Sequence, residues 1–193
     1  MRIIGGKYKG LKLQPPDYPG IRPTSDRLKE SLFSIINSNK YNISIENSNV
    51  LDICSGTGSL GIESISRGAI SVYFIDKDHR SINLIYKNIS KLKVDDQIEN
   101  NIKIIKDEAT KALKSINKIF QIVLIDPPYN TNIIENCLFK LKELNLISQD
   151  SYIFAESSKT ENFNYDGYQI LDKKIYGNSK LTILRLLNSS SIK

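Results

Sequence analysis

Val50-Leu51-Asp52-Ile53-Cys54-Ser55-Gly56-Thr57-Gly58 sets a short apolar run directly against a glycine-rich turn. Leu60 to Arg67 follows at helical spacing and is closed by Gly68, a residue free to take the left-handed position after a helix. The order strand, turn, helix then recurs. Val72 to Ile75 reads as a second strand, followed by a helix carrying Ile82, Ile85, Ile89 and Leu92. Ile102 to Ile105 is a third strand with a short helix behind it, and Phe120 to Ile125 a fourth, with a helix through Ile134, Leu138 and Leu141. Tyr152 to Ala155 is the fifth. These runs are almost wholly apolar rather than alternating, as in a parallel sheet covered by helices on both faces. The alternation predicts a doubly wound α/β, Rossmann-like fold. Tyr168 to Ile175 and Leu181 to Leu187, separated by Tyr176 to Lys180, read as an antiparallel hairpin ending a mostly parallel, seven-stranded sheet.

Outward from this frame, the first 23 residues differ in texture. Lys7, Lys9, Lys12 and Arg22 mix with Gly and Pro, and Arg2 to Ile4 can pair with Gly10 to Leu13 as a small basic hairpin. Four prolines between Pro15 and Pro23 predict an extended connection. A helix is expected to start at Thr24 or Ser25, both good N-cap types, with Leu28, Leu32, Ile35 and Ile36 on its buried face. The expected organisation is therefore an arm and linker over residues 1–23, a main domain over 24–187 and a disordered tail over 188–193.

The 193 residues carry a formal net charge of +6, which favours a polyanionic partner. Abundant Lys beside Asn, Ile and Ser is also what a low-GC coding bias yields. Cys54 and Cys137 are the only cysteines and lack metal-ligand spacing, so no metal is expected and a reducing cytosol is. The opening Met1-Arg2-Ile3-Ile4-Gly5-Gly6 lacks the apolar stretch of a signal peptide, and nothing approaches the roughly 20 apolar residues of a membrane span. The expectation is a cytoplasmic monomer with no membrane partner.

Ligands of open parallel sheets lie beyond the carboxyl ends of the strands. The turn 52–58 occupies such an end, where Ser55, Gly56 and Gly58 let a ligand come close to the backbone. Gly56, Gly58 and Gly61 also fit the dinucleotide string G-x-G-x-x-G. Asp52 argues otherwise, because an anion there repels a pyrophosphate and suits the ammonium of a methionine moiety. Asp76, with Lys77 beside it, closes the second strand, where an acid can bond two ribose hydroxyls. Asp107, with Glu108 beside it, follows the third strand and is placed to accept from an adenine amine.

Asp126-Pro127-Pro128-Tyr129 follows the fourth strand directly. The lone pair of a planar exocyclic amine is delocalised and poorly nucleophilic. Acceptors aimed at its N–H groups stabilise the charge that develops on nitrogen during attack. Asp126 offers a carboxylate and Pro127 a carbonyl, while the two prolines fix φ and hold that carbonyl still. Tyr129 offers a flat face for a base.

With both halves in view, the chain resembles the RsmD family of small-subunit ribosomal RNA guanine-N2 methyltransferases, from Met1 to about Arg185. The resemblance rests on Met1 to Gly10, Arg22-Pro23-Thr24-Ser25-Asp26-Arg27 leading to Leu32-Phe33, Val50 to Gly58 with Ser66-Arg67-Gly68-Ala69, Asp126 to Tyr129, and Tyr176-Gly177 through Arg185. It implies a class I methyltransferase fold and S-adenosylmethionine as cofactor, and it places Arg22 and Thr24 at the cofactor pocket. The implied substrate is a guanine of 16S ribosomal RNA within an assembling small subunit, reached by extruding the base. Asp76 stands where many relatives have Glu, and Cys54 reads as packing. Two other readings compete: a methyltransferase of DNA adenine N6 or of protein glutamine N5, and a catalytically silent RNA-binding module.

Overall fold

Strand parity organises the molecule, a computed structural model that describes residues 1–18, 26–38 and 40–187, the side chain of Gln97 aside. Seven strands form one sheet: β1 (Asn49–Ile53), β2 (Ser71–Asp76), β3 (Ile102–Lys106), β4 (Ile122–Ile125), β5 (Tyr152–Ser158), β6 (Tyr168–Tyr176) and β7 (Ser179–Leu186). Their order is β3-β2-β1-β4-β5-β7-β6, parallel through β5 and antiparallel across β7 and β6. This is the mixed sheet the sequence predicts.

Successive side chains point to opposite faces of a strand. Val50, Val72, Phe74, Ile122 and Leu124 enter the core shared with α1 (Asp26–Ile36), α2 (Ser59–Ser66) and α3 (His79–Ser90). Leu51, Ile53, Ile75, Val123, Ile125 and Ile153 enter the other core, with α5 (Ala109–Leu113) and α6 (Ile133–Glu143). Burial on both faces explains the unbroken apolar runs. A short α4 (Asp96–Asn100), capped by the Asp95 carboxylate on Ile98 N–H at 3.0 Å, is one element the periodicity does not reveal.

Strand ends depart from expectation where long-range pairing decides them. Phe120 precedes β4 because its N–H bonds Leu146 O rather than a ladder partner. β5 runs three residues past Ala155, since Glu156, Ser157 and Ser158 pair with Leu181, Lys180 and Ser179. That pairing also draws Ser179 and Lys180 into β7, so the hairpin turn is Gly177-Asn178 rather than the five residues expected.

The first residues pack as part of the main domain. Arg2 bridges Lys12 in antiparallel fashion, and Ile3 and Leu13 are 1% and 3% exposed within the core of Phe33 and Ile62. Arg2, Lys7, Lys9 and Lys12 stay exposed. Lys7 N–H donates to Ser66 O at 2.7 Å, an approach only glycine at position 6 permits: a Cβ there falls 1.8 Å from that same carbonyl oxygen. Beneath it, fully buried Glu63 accepts from Ile4 N–H at 2.9 Å and from Arg67 Nε at 2.8 Å. Fully buried Lys29 donates to Arg2 O at 2.6 Å; burial lowers its pKa, opposed by nearby Glu63. Farther on, Asn88 accepts from Gln14 N–H and donates to the carbonyls of Gln14 and Thr57, tying the arm to the glycine turn. The helix start expected at Thr24 or Ser25, most of the proline-rich connection and the tail beyond Leu187 lie outside the described residues.

Candidate active site

The carboxyl ends of β1 to β5 border one cavity of about 500 Å³, within the range usual for small-molecule sites. Ser55, Gly56 and Thr57 form its wall at β1, Asp76 and Lys77 at β2, Asp107 and Glu108 beyond β3, and Asp126 to Tyr129 beyond β4. Most residues singled out in the sequence thus meet in one chamber. Arg22 and Thr24 lie outside the described residues.

Asp76 is held by backbone donors. Its Oδ2 accepts Gly56 N–H at 2.8 Å and its Oδ1 accepts Asp78 N–H at 2.9 Å. Each oxygen keeps a further lone-pair site for a ligand hydroxyl. Asp107 is exposed at the rim, where its Oδ1 accepts Glu108 N–H at 2.7 Å, and Glu108 pairs with Lys111 at 2.8 Å. The Ser55 hydroxyl donates to Asp52 O at 2.6 Å and accepts Ile75 N–H at 3.1 Å, joining β1 to β2 just below the turn.

Asp52 corrects a geometric expectation. It lies within β1, in register with Phe74 and Leu124, so its side chain takes their face of the sheet and turns under α2. There its Oδ2 accepts Gly61 N–H at 2.9 Å, capping the first turn of α2 from below. It is 1% exposed and absent from the cavity wall. Gly61 makes this possible, since a Cβ at that position falls 2.2 Å from the Phe74 ring. Burial, opposed by the Gly61 N–H and aided by Asp76, pushes the Asp52 carboxyl up to about 7. Gly58, at φ 75°, likewise sits behind the wall and closes the turn by donating to Ser55 O at 2.7 Å.

Cys54 marks where the acids converge. Burial raises its thiol pKa far above the ordinary value, and Cys137, Asp76, Asp126 and Asp52 add to the effect in that order. A thiol so held is protonated and inert as a nucleophile.

The motif at β4 is continuous with the sheet, Asp126 N–H donating to Ile53 O at 3.3 Å. Pro127 is buried and Pro128 exposed. The Tyr129 hydroxyl lies 2.7 Å from Ser179 Oγ and donates to Glu156 Oε1 at 3.3 Å, which fixes its half-buried ring. Asn130, at φ 58°, turns the chain away, its N–H bound to Glu161 Oε1 at 2.6 Å.

Sequence reasoning missed Glu156, Ser179, Arg80 and Ser81, all in the wall. Glu156 is the first polar residue after the apolar run Tyr152 to Ala155, so the strand-end rule that found Asp76 and Asp126 reaches it too. Arg80 packs over the Tyr18 ring at 4.3 Å, bringing the arm to the cavity rim. Among the described residues, no cluster of His, Cys, Asp and Glu suits a metal ion, and no helix is long and apolar enough to cross a membrane.

A family model described as conserved hypothetical protein 95 matches residues 1–185. Ribosomal RNA small subunit methyltransferase D of Escherichia coli is 32% identical over 157 residues, covering 81% of this chain and 74% of its own length. The protein of that name from Haemophilus influenzae is 34% identical over 161 residues, covering 82% and 79%. A solved Escherichia coli structure described as a methyltransferase superposes with a TM-score of 0.80 at 27% identity, covering 96% of this chain and 97% of its own.

Proposed function

The chain belongs to the conserved hypothetical protein 95 family, that of the RsmD ribosomal RNA methyltransferases, and from that premise we propose that it methylates the exocyclic N2 amine of a guanine in 16S ribosomal RNA. The observation that carries the reading is the shared chamber: Asp126, Pro127, Pro128 and Tyr129 open on the same cavity as Gly56, Asp76 and Asp107.

S-adenosylmethionine, the cofactor this family implies, fits the donors and acceptors present. Asp76 would hold the ribose hydroxyls, with Lys77 at its side. Asp107 and Glu108 would face the adenine edge, and the Ser55–Gly56 backbone would lie against the amino-acid end. Asp52 would act from beneath, by holding the first turn of α2 and so the glycine turn in place through Gly61 N–H, rather than by contact. When bound, the cofactor supplies a methyl carbon on a positively charged sulfur.

The protein's own contribution is to position and polarise the amine. Asp126 accepts one N–H of the base and the Pro127 carbonyl accepts the other. The lone pair then points toward the cofactor end of the chamber, and charge arising on nitrogen meets a preorganised carboxylate. Tyr129, anchored through its hydroxyl, stacks on the extruded base. The exposed cations Arg2, Lys7, Lys9 and Lys12 bind the phosphate backbone of the RNA.

Incubation with a tritiated methyl donor and small-subunit particles, followed by nucleoside mass spectrometry, tests this reading. N2-methylguanosine at one position in 16S ribosomal RNA is the expected product. Label in DNA or protein instead would transfer the site to adenine or glutamine chemistry. No cofactor binding at all would leave a silent RNA-binding module.

A further inference from the structure

The strand order divides the chamber in two. Asp76 and Asp107 stand at the ends of β2 and β3, on the β1 side of β4, whereas Glu156 lies in β5 on the opposite side. Glu156 is paired in register with Leu181 of β7, so its place is set by the sheet rather than by a loop. Its Oε1 is occupied by the Tyr129 hydroxyl at 3.3 Å. Its Oε2 is buried and has no hydrogen-bond partner among the described residues. A buried carboxylate oxygen without a donor is costly, and a binding site is where such a cost is recovered on loading. Glu156 lines the chamber and the terminal torsion of a glutamate is broad and roughly two-fold, so rotation about it can turn the idle oxygen toward a ligand there.

We propose that Glu156 reads the Watson–Crick edge of the target base by accepting guanine N1–H, and so selects guanine among the bases. The inference rests on the amino-methyltransferase reading above and supplies its base specificity. A carboxylate only accepts. Guanine is the base whose exocyclic amine adjoins a ring N–H, so two neighbouring donors face two acceptors: Asp126 takes the amine and Glu156 takes N1–H. In adenine and cytosine the amine adjoins a bare ring nitrogen, whose lone pair Glu156 repels. Tyr129 couples the two functions, because the hydroxyl that steadies its stacking ring also holds the other oxygen of Glu156.

The test uses the full chain and small-subunit particles whose RNA carries either guanosine or 2,6-diaminopurine riboside at the mapped nucleotide. The analogue keeps the N2 amine but presents a bare N1. Wild-type protein is expected to favour guanine in kcat/KM by roughly tenfold or more, the discrimination typical of a good base-edge contact. In Glu156→Gln the carboxamide can turn a donor toward a bare N1. This variant should lose about tenfold on guanine and narrow or invert the preference, with cofactor affinity by calorimetry unchanged. Equal use of both bases by wild-type protein overturns the proposal without any variant. So does a Glu156→Gln protein that slows on both bases alike. Failure of wild-type protein to methylate guanine in any particle sinks the parent reading instead, which sets the two failures apart.

Discussion

Glu63 Oε2, on α2, accepts the backbone N–H of Ile4 across 59 positions of sequence at 2.9 Å. The same carboxylate bonds Arg67 and bears on buried Lys29. Removing one member of such a group leaves its partners charged and undersolvated, which costs about 3–5 kcal/mol. Glu63→Ala should therefore lower the melting temperature sharply, and hydrogen exchange should show Ile3 and Ile4 losing protection. A melting temperature within a degree or two of wild type would refute the anchoring role.

Asp126→Ala separates binding from chemistry. The cofactor half proposed for the chamber draws on β1, β2 and β3, so cofactor affinity should hold within a few-fold. Methyl transfer should fall by about 10²–10³-fold, as when one preorganised transition-state partner is removed. Isothermal titration and single-turnover labelling measure the two quantities separately. Unchanged turnover would remove Asp126 from the mechanism.

Asp52 sets a pH dependence. Its carboxyl, pushed from 3.8 to about 7 by burial, holds a proton in the folded chain at pH values where the unfolded chain has released it. The folded state thus binds more protons between about pH 4 and 7, so stability falls as pH rises through that window and levels off above it. The full effect is on the order of a few kcal/mol. Melting temperatures of Asp52→Asn should slope less from pH 5 to 7.5 than those of wild type. Parallel slopes would contradict the buried acid.

Tyr129 has two separable parts. Tyr129→Phe keeps the ring and drops the bonds to Ser179 and Glu156, so turnover should fall by less than about tenfold. Tyr129→Ala removes the stacking face and should cost a further 1–3 kcal/mol or so in RNA affinity. Filter binding and steady-state kinetics distinguish these losses. A Phe variant as poor as the Ala variant would shift the weight from ring to hydroxyl.

How legible the site is depends on whether position or direction carries the information. Asp76 and Asp126 follow apolar runs directly and Asp107 comes just after β3, and a position at a strand end suffices to bring them together. Asp52 needs direction as well: Ile53 still follows it in β1, and parity turns its side chain beneath α2. Glu156 also follows an apolar run, but its fixed place comes from the continuation of β5 by pairing with β7, which local sequence does not display. The arm looks detachable from its glycines, prolines and lysines. Its membership of the core rests on Ile3, Leu13 and the buried Lys29 and Glu63, contacts that composition cannot display.

The position of β4 between β1 and β5 has an evolutionary consequence. On the proposed reading the donor is held from the β1, β2 and β3 flank, the reacting amine by the motif after β4 itself, and the base edge by Glu156 on the β5 flank. Retargeting such an enzyme to a different base can then begin with edits on the β5 and β7 flank, leaving the donor's berth inherited intact.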